Sequence, residues 1–218
     1  MKMLVALITL VSIIDCQGQV VKQGHFLADL KKDSSLPKMI FVENFDNNVN
    51  NWTVGDHKQI SARIDSGFYY LTSLGHAYGE GQELKIDTRK DFQVESRIKI
   101  LKSNSEHKNY YSMLFWGRTV THGYFFTFAK DGFSSVEVCD GKKQSDCDIK
   151  PGSFQKTKLE PEDFNVYIIK KIKNRYYFYI NGEEVYTMPF APFFGNFVGF
   201  GAGRKATLMV DYLKILYL

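Results

Sequence analysis

Apolar residues between positions 39 and 218 occur in short runs, which turn-forming residues interrupt about every 8 to 12 positions. The run at 92–100, FQVESRIKI, alternates strictly between residues suited to a core and residues suited to solvent. No segment from residue 40 onward shows a sustained helical period. The pattern predicts an all-β fold, a two-sheet antiparallel sandwich. One face of this strand should then be buried, namely Phe92, Val94, Ser96, Ile98 and Ile100.

Two dipeptides predict tight hairpin turns. Asp131-Gly132 and Asn181-Gly182 both suit two-residue loops whose central residues need positive φ. The predicted loop at 181–182 places Phe178 opposite Val185 and Tyr177 opposite Tyr186. One surface of this hairpin is then a core face, with Tyr176, Phe178, Ile180 and Val185. The other surface is a tyrosine row, either the floor of a binding cleft or the underside of a second layer, with Tyr177, Tyr179 and Tyr186.

The first residues, MKMLVALITLVSIIDCQGQ, have the pattern of a secretory signal peptide. A lysine precedes an apolar run from Met3 to Ile14, which is about half the length needed to cross a bilayer. Cys16 and Gly18 supply small side chains before a cleavage point. The alternative is lipid attachment through Cys16, although Asp15 stands where a lipoprotein signal normally has a small residue.

The signal pattern predicts three parts along the chain. They are a signal peptide at 1–18, a connecting segment at 19–37 and a β-sandwich domain at 38–218. The predicted location is secreted, extracellular or periplasmic, or lipid-anchored if Cys16 is modified. No later segment is long and apolar enough to span a membrane.

The charge of the chain says little about partners. It contains 28 Lys and Arg against 24 Asp and Glu, a formal net charge of +4. Most lysines alternate with apolar residues, as solvent-facing strand positions do, and they form no single basic tract. Nucleic acid is therefore not a predicted partner.

Cys139 and Cys147 flank a polar segment that contains a glycine. An oxidising compartment favours a disulfide between them, and this is the prediction. Metal binding is the alternative, because aspartates surround the pair, but zinc needs about four ligands and no histidine is adjacent. No cofactor is predicted. FDNNVNN and CDGKKQSDCD contain oxygen ligands compatible with calcium, but neither follows a recognisable calcium loop.

Four segments in order carry a likeness to a known fold: FVENFDNNVNNWTV, DSGFYYLTS with DFQVESRIKIL, GYFFTFAKDGFSSVEV, and YYFYINGEEVYTMPF with NFVGFGAGRKATLMVDYLKI. Over residues 39–218 the chain resembles a concanavalin A-like lectin/glucanase (laminin-G-like) jelly-roll domain of a secreted protein. The resemblance implies that MVDYLKILYL is a central strand beside the first one. It also implies that Phe45, Asp46 and Trp52 are structural closures. It does not specify an activity, because the fold hosts lectins, hydrolases and adhesion modules.

The glucanases of this family carry paired acidic residues on one strand, in the pattern Glu-x-Asp-x-x-Glu. Both carboxyls must project into one cleft, about 5–5.5 Å apart in retaining enzymes. The sequence lacks this motif, because the odd spacing of Glu137 and Asp140 places them on opposite faces of a regular strand. A retaining glucanase is therefore not predicted. An atypical glycoside hydrolase-like enzyme with dispersed carboxylates, such as Glu80 and Glu137, is an alternative.

Sugar recognition uses aromatic faces that stack on the ring, together with a few convergent polar groups. LFWGRTVTHGYFF, LGHAYGEGQE and the tyrosine row supply such side chains. The leading hypothesis is a secreted, non-catalytic domain that binds carbohydrate or another extracellular polymer. A protein-binding adhesion or structural module is a further alternative, and a core or rim position is the non-functional interpretation of each ring. The candidate ligand-binding residues are Trp116, Arg118, His122, Tyr124, Tyr78, Glu80, Tyr177 and Tyr179.

Overall fold

The structure is a computed structural model that describes residues 36–103, 112–119, 122–140, 147–191 and 195–218. The predicted signal peptide and Cys16 lie outside these residues, and the domain boundaries stay a prediction. The described residues form strands and no helix, which confirms the all-β prediction. The strands are β1 (Lys38–Glu43), β2 (Gly55–Asp56), β3 (Ile60–Asp65), β4 (Phe68–Ser73), β5 (Tyr78–Glu83), β6 (Phe92–Lys102), β7 (Ser112–Thr119), β8 (His122–Phe128), β9 (Phe133–Asp140), β10 (Cys147–Ile149), β11 (Gln155–Lys156), β12 (Asn165–Ile172), β13 (Arg175–Ile180), β14 (Glu183–Pro189), β15 (Phe197–Ala202) and β16 (Thr207–Tyr217).

These strands form two antiparallel sheets. Sheet A has nine strands in the order β14-β13-β12-β6-β16-β4-β3-β2, and β1 also pairs with β16. Sheet B has seven strands in the order β10-β9-β8-β7-β15-β5, and β11 also pairs with β9. The predicted two-sheet antiparallel sandwich is confirmed.

The core lies between the inner faces of the sheets. On β6 the burial alternates residue by residue as the sequence predicts, with Phe92, Val94 and Ile98 fully buried. Side chains from sheet B meet this face. The Phe92 and Trp116 rings pack edge to face with their centroids 4.7 Å apart, an arrangement that aromatic pairs favour.

β16 is the central strand that the resemblance implies. It pairs with β6 on one side, and with both β1 and β4 on the other. Phe45 and Trp52 are buried beside this junction, and the Trp52 Nε1–H donates to Glu43 Oε2 at 2.9 Å. Their role as structural closures agrees with the burial, whereas Asp46 is exposed.

The Asn181-Gly182 turn is the predicted two-residue loop, with φ of 51° and 82°. Beyond it the predicted pairing is wrong. A register shift after Tyr179 leaves Val185 as an extra residue, so Phe178 pairs with Tyr186 and Tyr177 pairs with Thr187. Tyr186 consequently packs against the core, with its ring centroid 6.0 Å from that of Phe178.

The Asp131-Gly132 turn also differs from its prediction. Ala129 pairs with Phe133 through a 2.9 Å hydrogen bond from the Ala129 N–H, so the loop has three residues. Only Gly132 in this loop adopts positive φ, at 91°. This is the three-residue hairpin loop that ends in a glycine. The longer loop sets Thr127 opposite Ser135.

Candidate functional site

The predicted ligand-binding residues lie in four separate places. Trp116 and Tyr124 belong to the inner face of sheet B, where they are 1% and 6% exposed. The Trp116 Nε1–H donates to the Gly195 carbonyl at 3.0 Å, and burial raises the pKa of the Tyr124 hydroxyl. Both rings pack against Tyr176 across the core. Neither ring therefore offers a free face to a ligand, contrary to the sequence prediction.

Arg118 lies near the end of β7, and His122 is the first residue of β8. A register shift between Gly117 and Thr119 displaces Arg118, whose side chain is exposed, and His122 is half-buried. His122 pairs with Asp140 of β9, which is three residues, or about 10 Å, from Glu137 along that strand.

Tyr78 and Glu80 lie on β5, an edge strand of sheet B. Glu80 Oε1 accepts a 2.9 Å hydrogen bond from the Thr53 hydroxyl, and the Tyr69 hydroxyl donates to the Thr53 carbonyl at 3.0 Å. Burial, and then the charge of Glu80, raise the pKa of Tyr78. Glu80 thereby joins β5 to the chain segment around Thr53.

Tyr177 and Tyr179 lie on the other sheet. Both are half-buried on the face of β13 that points away from the core. All the described strands belong to sheet A or sheet B, so none of them forms a second layer over this pair. The tyrosine row thus lacks Tyr186, which faces inward.

The outer face of sheet B carries a constellation that the sequence indicated only in part. Phe125 pairs with Phe115 on one side and with Glu137 on the other. The next row along the strands sets Thr127 opposite Ser135. We call the surface formed by these five residues the Glu137 face.

Two pairs of glycines face each other across neighbouring strands of sheet B. Gly117 is directly opposite Gly123, and Gly81 is directly opposite Gly199. A Cβ added to Gly123 would lie 2.7 Å from the Trp116 carbonyl oxygen and 2.8 Å from the Gly117 Cα. A Cβ added to Gly81 would lie 2.5 Å from the Val198 carbonyl oxygen. These positions admit no side chain, because the backbone of the neighbouring strand occupies the space.

The carboxylate of Glu137 is held by two hydroxyls. The Ser135 and Thr127 hydroxyls approach its Oε1 at 3.2 Å and 3.3 Å, and they lie 2.6 Å from each other. Among the described residues none donates to Oε2. Burial raises the pKa of Glu137, and the two hydrogen bonds oppose that shift without cancelling it. A partly desolvated carboxylate on a sheet face is the kind of group that marks functional sites.

Within the Glu137 face only the Glu137 side chain is half-buried, because Thr127 and Ser135 are 2% and 1% exposed. Phe115 and Phe125 are 0% and 3% exposed, whereas Ile149, which lies opposite Glu137 on β10, is 50% exposed. A ligand would therefore reach Glu137 from the β10 edge. The predicted disulfide is confirmed at this edge, where Cys139 and Cys147 are directly opposite each other with their Cα atoms 4.1 Å apart.

Glu80 and Glu137, the two dispersed carboxylates of the enzyme alternative, do not share a cleft. Glu80 lies on β5 and Glu137 on β9, four strand spacings or about 19 Å apart. Their side chains also leave opposite faces of sheet B, because Glu80 is opposite Phe200 of the core and Glu137 is opposite the outward-facing Phe125. A glycosidase pair requires about 5–9.5 Å between its carboxyls.

Sequence reasoning missed Thr127 and Ser135. The signal was present, because the alternation in FSSVEV puts Ser135 and Glu137 on one face. Placing Thr127 beside them required the correct hairpin register, and the two-residue loop expected at Asp131-Gly132 shifted that register by one residue.

No group of three or more His, Cys, Asp or Glu side chains among the described residues is arranged to hold a metal ion. Of the calcium-compatible oxygens, Asn48 Oδ1 accepts the Trp52 N–H at 2.8 Å and Asn47 Oδ1 accepts the Val49 N–H at 3.1 Å. Within the same ranges no helix is long and apolar enough to cross a bilayer.

Solved structures share this fold at low sequence identity. The carbohydrate recognition domain of Emp47p matches with a TM-score of 0.58 and 11% identity, covering 83% of this chain and 97% of that one. The endo-β-1,3-glucanase from Pyrococcus furiosus matches with a TM-score of 0.57 and 14% identity, covering 83% and 94%. The CBM2 module of the evolved Dit of Lactobacillus casei BL23 phage J-1 matches with a TM-score of 0.52 and 9% identity, covering 83% and 96%.

No protein-family model matches the sequence, and the comparison with curated proteins finds no match. The structural likenesses define the class of fold. The chain is a concanavalin A-like jelly-roll β-sandwich, as its strand and turn pattern predicts.

Proposed function

We propose that this protein binds carbohydrate at the Glu137 face, without hydrolysing it. The observation that carries the proposal is the held carboxylate of Glu137, with one oxygen bonded by two hydroxyls and the other directed to no described donor. A carboxylate in this state accepts hydrogen bonds from sugar hydroxyls.

The fold supports this choice of ligand. Two of the similar structures are named as a carbohydrate recognition domain and a CBM2 module, and a third is named as a glucanase. Binding is favoured over hydrolysis because Glu80, the other carboxylate of the enzyme hypothesis, lies on the opposite face of the sheet.

The test is a glycan array that carries neutral polysaccharides, followed by calorimetry on each hit. The protein is produced in an oxidising compartment, so that Cys139 and Cys147 pair. Glu137→Gln should weaken binding about tenfold or more, because a hydrogen bond to a charged group contributes about 1.5–3 kcal/mol. Glu160→Gln is the matched control, because Glu160 is exposed and lies outside sheet B.

Three outcomes would contradict the proposal. One is a folded, disulfide-bonded protein that binds no carbohydrate. Another is equal affinity in the wild-type protein and Glu137→Gln. The third is release of reducing ends from a bound polysaccharide that stops in Glu137→Gln, which would favour the hydrolase alternative.

We also propose that the protein is exported. The Cys139–Cys147 disulfide supports this location, because stable disulfides are typical of oxidising compartments. Fractionation of the native host, together with the mass of the mature N-terminus, tests it. Recovery of uncleaved, unmodified protein from the cytoplasm would contradict export, and a lipid adduct on Cys16 would identify the anchored form.

A further inference from the structure

The outer face of sheet A carries tyrosines and basic side chains in one continuous strip. Arg175, Tyr177 and Tyr179 alternate along β13 and face away from the core. Lys170 of β12 is directly opposite Tyr177, and Lys173 lies in the turn between the two strands. We call these five residues the basic tyrosine strip. It lies on the opposite sheet from the Glu137 face.

The side chains of the strip are available to a ligand. Tyr177 and Tyr179 are half-buried, while Lys173 and Arg175 are exposed. The Lys170 ammonium lies 5.2 Å from the centroid of the Tyr179 ring, within the range of a cation–π contact. The two rings and the cations therefore form one mixed surface, with aromatic faces and positive charge side by side.

The acidic groups around the strip leave one of its ends positive. Asp91 accepts hydrogen bonds from the Lys171 ammonium at 3.1 Å and from the Lys173 N–H at 2.6 Å. Glu95 accepts from the Tyr212 hydroxyl at 2.8 Å and from the Gln93 amide at 2.7 Å.

Glu184 is the acidic neighbour at the other end of the strip. It pairs with Tyr179 in the ladder and lies 3.3 Å from its hydroxyl. Positive charge is thus concentrated at the end formed by Lys170, Lys173 and Arg175, where Arg175 is held 3.2 Å from the Thr187 hydroxyl.

We propose that the basic tyrosine strip binds an acidic polysaccharide, a polymer whose sugar rings carry carboxylate or sulfate groups. The rings of Tyr177 and Tyr179 pack against the apolar faces of the sugars. Lys170, Lys173 and Arg175 pair with the anionic groups, and the arginine suits planar carboxylates and sulfates in particular.

A linear, modestly charged polymer fits the strip better than other polyanions do. From Arg175 to Tyr179 the strand extends about 14 Å, enough for a short oligosaccharide lying along it. A nucleic acid would require a larger basic surface, whereas three cations contribute here and the whole chain carries a net charge of only +4.

The experiment measures binding of the full chain to polygalacturonate, with neutral dextran of similar length as the reference. Lys173→Gln/Arg175→Gln should weaken polygalacturonate binding about tenfold at low salt, as expected for two exposed charge contacts. Lys58→Gln/Lys156→Gln is the matched control, because both lysines are exposed elsewhere and the net charge changes equally. The control variant should bind like the wild-type protein.

Further variants separate stacking from charge and one face from the other. Tyr177→Ala should weaken binding while Tyr177→Phe retains it, because the ring rather than the hydroxyl makes the contact. Because the test of the Glu137 face uses neutral polysaccharides and this experiment uses an acidic one, this inference and the carbohydrate site at Glu137 can fail independently.

Four results would overturn the inference. The first is equal weakening in the control variant, which would indicate a response to net charge alone. The second is tighter binding of single-stranded DNA or polyglutamate than of polygalacturonate at matched charge. The third is equal binding of dextran and polygalacturonate. The fourth is a Tyr177→Phe variant as weak as Tyr177→Ala.

Discussion

Substitution of Gly123 by alanine tests whether the glycine pairs are required by the close approach of β7 and β8. The added Cβ would lie 2.7 Å from the Trp116 carbonyl oxygen, whereas ordinary van der Waals contact begins near 3.4 Å, so the strands must separate locally by about 0.7 Å. Both strands are interior to sheet B, with β9 and β15 as their outer neighbours. The strain therefore cannot be relieved by moving a free edge.

Two opposing contributions determine how much Gly123→Ala changes the free energy of unfolding. Overpacking of this size costs about 1–3 kcal/mol, while replacing glycine by alanine restricts the unfolded chain and offsets about 0.4–1 kcal/mol of that cost. We expect a net loss of about 1.5 kcal/mol in the free energy of unfolding. For a domain of this size the Tm would fall by about 3–6 °C.

The assay is urea denaturation followed by the fluorescence of Trp52 and Trp116, which are both buried. Gly75→Ala is the matched control, because a Cβ there would meet nothing within 4 Å. Its stability should equal or slightly exceed that of the wild-type protein. If Gly123→Ala is as stable as Gly75→Ala, the steric argument is refuted.

Three more predictions concern stability. Replacing Cys139 and Cys147 by serine should lower the free energy of unfolding by about 2.5 kcal/mol, which is the chain-entropy value for so short a loop. An unchanged urea midpoint would contradict this prediction. The folded state holds the Glu137 proton more tightly than the unfolded chain, because burial raises its pKa above the ordinary 4.5; stability should therefore fall as pH rises from 4.5 through the folded pKa. Glu137→Gln should abolish this decrease of stability with rising pH. If stability depends on pH in the variant as it does in the wild-type protein, the assignment to Glu137 is wrong. Lys171→Met should lower the free energy of unfolding by about 1.5 kcal/mol, because it removes a charge-assisted hydrogen bond of 3.1 Å to Asp91, which is partly exposed and keeps its hydrogen bond from the Lys173 N–H. Lys173→Met, at an exposed neighbouring position, should have little effect on the same denaturation curve.

The alternation of apolar and polar residues was sufficient to predict the fold. The prediction is limited in the strands that lack this alternation. β6 alternates cleanly, so the buried face of Phe92, Val94 and Ile98 was predicted correctly. On β7 and β8 both faces are apolar, because Phe115 and Phe125 lie on the outer side and Trp116 and Tyr124 on the inner side. A run that is apolar on both faces contains no period-2 signal, so the sequence does not show that Trp116 and Tyr124 face the core.

Register was the second limit. The turn dipeptides located both hairpins, but a three-residue loop in one and the extra residue Val185 in the other each moved the pairing by one position. One residue is sufficient to exchange the two faces of a strand. Tyr186 consequently moved from the tyrosine row to the core, and Thr127 joined Ser135 and Glu137. The candidate site depends on the loop geometry, which dipeptide identity alone does not determine.

The central position of β16 has a consequence for how the chain folds. This strand, the last of the described strands, joins β6 to both β1 and β4. Without residues 207–217, sheet A is therefore three separate pieces, namely β14-β13-β12-β6, β4-β3-β2 and β1 alone. Contacts between distant parts of a chain form late and slowly. Synthesis from the N-terminus would therefore leave sheet A incomplete until residues 207–217 have been made, and a chain in that state can still be threaded through a narrow pore.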